Sequence, residues 1–141
     1  MSTAKEIRIK RQQACFISAC ILGRVERVAK MHRTGFDIHF KNEKGLRSAA
    51  FYGRLNVVRY LAENLANVNI KEGNPMVCAA DVGRRTIVKY LLNFANDTVK
   101  NQALLAAHRS GHISTVDLLI KRGADASLIS DLVLNEASSC K

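Results

Sequence analysis

Tryptophan is absent from this 141-residue chain, proline occurs once, at Pro75, and aromatic residues make up only 6% of it. That shortage, with no helix-turn-helix reading helix or other named recognition module, counts against nucleic-acid binding. No apolar run approaches the roughly 20 residues that a membrane-spanning helix needs. The opening Met1-Ser2-Thr3-Ala4-Lys5-Glu6 lacks the apolar core of a signal peptide, so an intracellular, cytoplasmic protein is expected. Acidic residues are scarce too, 12 against 22 lysines and arginines, for a formal net charge of +10. Such an excess favours acidic or polyanionic partners and says nothing about fold.

Chemistry is equally sparse. There is no phosphate-cradling glycine-rich loop and no serine elbow of the Gly-x-Ser-x-Gly type. None of the four cysteines falls in a Cys-x-x-Cys or zinc-like spacing. Cys20 and Cys78, beside Ala19 and Ala79, read as small buried hydrophobes, and Cys15 and Cys140 as further reduced thiols. His108 and His112 stand four apart but straddle Gly111, with no nearby carboxylate or cysteine to complete a ligand set. The carboxylates Glu26, Glu63, Asp81 and Asp117 fall at unrelated positions and read as surface groups. No catalytic set, metal site or cofactor is expected.

What the chain does have is a repeat. Ala19-Cys20-Ile21-Leu22-Gly23, Ala49-Ala50-Phe51-Tyr52-Gly53, Ala79-Ala80-Asp81-Val82-Gly83 and Ala107-His108-Arg109-Ser110-Gly111 recur at intervals of 30, 30 and 28 residues. Seven residues before each glycine stands Phe16, Leu46, Met76 or Leu104. Five after it stands Val28, Val58, Val88 or Val116, and eight after it Met31, Leu61, Leu91 or Leu119. This is helical spacing on both sides of a glycine turn. Each unit carries an apolar face that one copy cannot bury alone, which is the logic of stacked repeats.

The pattern resembles the ankyrin repeat. Gly111-His112, Val116, Leu118, Leu119 and Gly123-Ala124-Asp125 carry its second half most fully, with echoes of the closing motif at Gly35-Phe36-Asp37, Leu65-Ala66-Asn67 and Ala95-Asn96-Asp97. The family's Thr-Pro-Leu-His box survives only as Asn74-Pro75-Met76-Val77. Its histidine is replaced by Ile17, Arg47, Val77 and Leu105, so the hydrogen bonds made through that box are partly missing. Intervals below the family's ~33 residues imply short fingers. This degenerate style is similar to that of ankyrin proteins of large DNA viruses and host-associated microbes, for which a host cytoplasm is the matching location.

The expected fold is an all-α ankyrin-repeat solenoid in one domain: an N-terminal cap over residues 1–12, four repeats over 13–127, and a C-terminal cap and tail over 128–141 built on Leu128, Ile129, Leu132 and Val133. Thr3 and Glu6 form a possible capping box for a basic first helix bearing Lys5, Arg8, Lys10 and Arg11. Lys41-Asn42-Glu43-Lys44-Gly45 reads as a turn in which asparagine and glycine supply the tight backbone. Asn74-Pro75 reads as the clearest helix start, and the fourth repeat is expected to begin near Lys100-Asn101-Gln102.

The resemblance implies a non-enzymatic protein-binding module whose concave face carries the finger tips and the two residues before each glycine. On that basis Phe51, Tyr52, Asp81, Arg109, Lys41 and Lys71 are the expected partner-binding residues, with a protein partner of acidic character. Arg24, Arg54 and Arg84, each following its glycine, form a basic ladder. Neighbouring charges about 10 Å apart repel by only about 0.4 kcal/mol in water, so the ladder needs no bound anion. Charge-driven nucleic-acid binding is the alternative.

Overall fold

The computed structural model describes residues 3–130. Leu132, Val133 and Cys140, with the rest of the expected tail, lie outside them. The chain forms two compact units, Met1–Asn67 and Val68–Lys141. All regular structure among the described residues is α-helical.

In the first unit, α1 (Ala4–Leu22) packs on α2 (Val25–Arg33) and α3 (Phe40–Phe51), while α4 (Leu55–Glu63) packs on α2 and α3. Thr3 starts α1 by accepting from the Glu6 amide at 3.2 Å, which supplies the threonine half of the expected capping box. Residues 4–12 are the first turns of the same helix and are exposed throughout. Phe16, Val28, Leu46, Ala49, Val58 and Leu61 are buried as the register requires. Each large one contributes about 1.5–3 kcal/mol through its removal from water. Phe16, Phe36 and Phe40 form a ring cluster with centroids 4.9 to 5.8 Å apart. His32 on α2 and the Tyr60 hydroxyl on α4 hydrogen-bond at 2.8 Å.

The start of α3 departs in part from the sequence expectation. Asn42 takes the tight left-handed backbone expected of it, with φ of 55°, but so do Lys41 and Glu43, with φ of 50° and 61°, whereas Gly45 is a helical residue. Glycine is required at 45 for space: a Cβ there would come 2.5 Å from Phe16 Cε1. A left-handed turn of three side-chain-bearing residues costs about 1–2 kcal/mol each, so something must hold it. Arg47 donates from Nε to the Asn42 carbonyl at 3.2 Å and from Nη2 to the Lys41 carbonyl at 3.1 Å. It stands at the position of the family's missing histidine, so the lost hydrogen bonding is here replaced in another form. Beneath the turn, buried Glu43 accepts from His39 Nδ1 at 2.8 Å through Oε1, while its Oε2 has no partner among the described residues.

In the second unit, α5 (Pro75–Asp81) packs on α6 (Arg85–Leu91) and α7 (Asp97–Arg109), and α8 (Ile113–Lys121) on α6 and α7. A further helical stretch begins at residue 127. Buried Asn74 accepts from the Met76 and Val77 amides at 2.9 and 3.3 Å and donates to the carbonyls of Val68 and Ile70. It caps the helix and ties down the loop before it. The fourth repeat starts earlier than its sequence suggests: Asn96 accepts from the Val99 amide at 2.9 Å, so α7 begins at Asp97 rather than near Lys100. Asn96, in the echo of the closing motif, is also the N-cap, so α7 follows at once.

Two core expectations fail. Met31 and Val116 are half-exposed. The inner face of α8 is carried by Thr115, Leu118 and Leu119, and among the described residues nothing packs over the outer side of α2. Of the thiols, Cys20 is fully buried and desolvation pushes it up to about 12. Cys15 is exposed, and Cys78 is half-buried instead of buried, with its Sγ 3.7 Å from the Gly73 carbonyl.

Candidate protein-interaction surface

In two of the repeats, the residue after the glycine has a structural task within its unit. Arg54 donates from Nε to the carbonyl of Ile21 in the preceding repeat, at 2.7 Å. His112 Nε2 meets the equivalent carbonyl, that of Asp81, at 3.1 Å. The glycine makes room for this crossing. A Cβ on Gly23 would lie 3.1 Å from Arg54 Cδ, and one on Gly83 would lie 2.8 Å from the His112 ring. Arg54 therefore staples two repeats together, whereas Arg24 is exposed and makes no such bond among the described residues. Arg84 keeps the same register position and is exposed.

Each unit presents a groove on the side of its first helices. In the first unit, a groove of about 670 Å³ lies between α1 and the left-handed turn. Ile17, Ile21, Leu22 and Phe40 form its apolar part, while Lys10, Lys41 and Lys44 stand around it and no carboxylate lines it. The α1 positions 10, 13, 14, 17, 18 and 21 are one helical stripe, which is why a single helix supplies most of the wall. Lys41 is one of the residues that line this groove. Phe51 and Tyr52 are not among its lining residues. They stand at the end of α3, each 44% exposed, their rings edge to face with centroids 5.1 Å apart.

In the second unit, a groove of about 470 Å³ brings together Lys71, Asp81 and Arg109 along with Val77, Cys78 and Leu105. Its charges are mixed. Asp81 is engaged, accepting from the Ser110 hydroxyl at 2.7 Å.

A family model described as ankyrin repeats, in three copies, matches residues 46–130, more than half of the chain. The chain belongs to the ankyrin-repeat family. Its fold class is accordingly the all-α ankyrin-repeat one, and the first helical pair lies upstream of the matched region. No curated protein matches the chain. Ankyrin repeats are in general protein–protein interaction modules and typically carry no catalysis. Among the described residues no helix is long and apolar enough to cross a membrane.

Sequence reasoning missed Lys10 and Lys44 as groove residues. The signal was available for Lys10, which shares the i, i+3, i+4, i+7 stripe with Gln13, Ala14 and Ile17. Lys44 depends on the left-handed turn, which the residue types announced only at Asn42.

Proposed function

We propose that this ankyrin-repeat chain is a non-enzymatic module that binds an acidic protein partner, with the first-unit groove as its principal contact. The observation that carries this reading is the combination of an apolar floor with three lysines and no carboxylate. The two parts do different work. Solvent-exposed ion pairs are worth about 0–1 kcal/mol each, so the lysines select an acidic surface and speed encounter. Burial of Ile17, Ile21 and Leu22, at about 25 cal/mol per Å² of apolar area, supplies most of the affinity. Phe51 and Tyr52 form a second exposed contact whose truncation is expected to cost about 2 kcal/mol of binding or more. Lys71, Asp81 and Arg109 add a groove of mixed charge that suits a partner bearing both signs.

Such a module acts by occupying a partner's surface, as a scaffold or an inhibitor. The test is affinity capture from the native extract with wild-type bait and with Ile17→Glu/Lys44→Glu bait, each with and without nuclease. A protein retained by the wild type, lost from the variant and indifferent to nuclease supports the reading. Retention that disappears with nuclease supports charge-driven nucleic-acid binding instead.

A further inference from the structure

A second face of the first helical pair has no part in that groove. Arg8, Arg11, Gln12 and Cys15 lie at i, i+3, i+4 and i+7 along α1, and Arg27, Lys30, Met31 and Thr34 repeat that spacing from α2 into its C-cap. The two stripes line one hollow of about 370 Å³. Seven of these eight residues are exposed and Met31 is half-exposed. The four cations carry no ion pair among the described residues, and no carboxylate lines the hollow.

The repeat register shows what kind of surface this is. Cys15, Arg27 and Met31 occupy the positions that Gly45, Val57 and Leu61 hold in the next repeat, where all three are buried. There the α3–α4 pair seats against α1 and α2. The geometry at 15, 27 and 31 is thus that of a surface on which helices pack, about 8–10 Å apart. Its central residues keep Met31 and Cys15 as apolar contacts, while one core position has become Arg27. Solubility alone is served by charge of either sign, yet here the sign is uniform.

We propose that this face docks an amphipathic helix of a partner protein, with apolar residues set over Met31 and Cys15 and carboxylates flanking them toward Arg8, Arg11, Arg27 and Lys30. A helix is favoured by the packing geometry, and carboxylates by the unpaired guanidinium groups, which bind them bidentately. Nucleic acid fits less well because no aromatic side chain lines the hollow to stack a base.

The test uses the full chain, isotopically labelled, titrated with a synthetic peptide of about five helical turns. The peptide carries leucines on one face and glutamates on both flanks. A scrambled peptide of the same composition and a single-stranded oligonucleotide serve as comparators. The expected result is that amide resonances shift along Arg8–Cys15 and Arg27–Thr34, with micromolar affinity for the patterned peptide only. Arg27→Glu/Lys30→Glu and, separately, Met31→Glu should each weaken it by about tenfold or more. Lys41→Glu/Lys44→Glu, in the other groove, should change it by less than about twofold. All these sites are exposed or half-exposed, and thermal melts verify folding; the wild-type resonance map stands independently of any variant. Equal binding of the scrambled peptide, tighter binding of the oligonucleotide, shifts confined to the Lys41–Lys44 groove, or no shift at all would each overturn the proposal.

Discussion

Arg54 Nε donates to the carbonyl of Ile21 across a repeat boundary at 2.7 Å, passing over Gly23, whose missing side chain leaves the path open. The Arg54→Ala variant therefore loses an inter-repeat hydrogen bond from a charged donor. At an exposed site this should cost about 1 kcal/mol. Arg24→Ala, with no such bond, should stay within about 0.5 kcal/mol of wild type. Urea titration of the two variants checks the difference, and equal losses would reduce the post-glycine arginines to surface charge.

Gly83 and Gly111 share φ of 76°, but only Gly83 faces a side chain, the His112 ring 2.8 Å from where a Cβ would stand. Both alanine variants pay for the left-handed backbone, about 1 kcal/mol. Gly83→Ala should cost at least about 1 kcal/mol more, because the ring must leave the Asp81 carbonyl. Thermal melts that rank the two equally would show that the ring moves aside freely.

The loop anchored by Asn74 offers a larger effect. Its side chain satisfies two amides and two carbonyls while buried. Asn74→Ala should destabilise by about 2 kcal/mol or more, at or above the top of the usual N-cap range. Asn42→Gly should act in the opposite direction, stabilising by about 0.5–1 kcal/mol, since glycine adopts its φ of 55° without steric cost. A loss of stability in Asn42→Gly would mean the left-handed turn is not the strained element described above.

The repeat was legible because it is written in the apolar residues that solvent exclusion must act on. Phe16, Leu46, Met76 and Leu104 are all fully buried, as are Val28, Val58 and Val88. What escaped the sequence reading depends on contacts between distant residues. Asn42 is a residue type that favours a tight turn, but nothing local marks Lys41 and Glu43 as left-handed; that follows from Phe16 filling the space beside Gly45 and from Arg47 holding the turn. Asn96 closes one repeat and caps the next helix at once, and residue types alone do not show that the two roles fall on one residue. The groove lysines were only partly visible for the same reason: Lys41 sits at an expected finger position, whereas Lys44 joins it in the groove only through the turn.

Thiol reactivity separates the inner and outer faces of α1. Burial pushes the Cys20 thiol up to about 12, so its nucleophilic thiolate is suppressed in the folded chain well above neutral pH. Cys15, exposed on the other side of the helix, should alkylate readily because reagent can reach it. Mass spectrometry after brief iodoacetamide treatment should find Cys15 modified and Cys20 modified only once the chain is unfolded. Comparable labelling of both in the folded state would contradict the packing of Cys20 beneath Gly45.

The central claim is that a protein partner seats in the lysine-rimmed groove of the first unit, and calorimetric titration of the captured partner tests it most directly. Ile17→Glu/Lys44→Glu should weaken binding by tenfold or more, about 1.4 kcal/mol at the least, with an unchanged melting profile. The wild-type affinity should fall only modestly between low and near-physiological salt, because apolar burial supplies most of it. An affinity unaltered by the groove variant, or one that collapses with salt as phosphate contacts do, would contradict it.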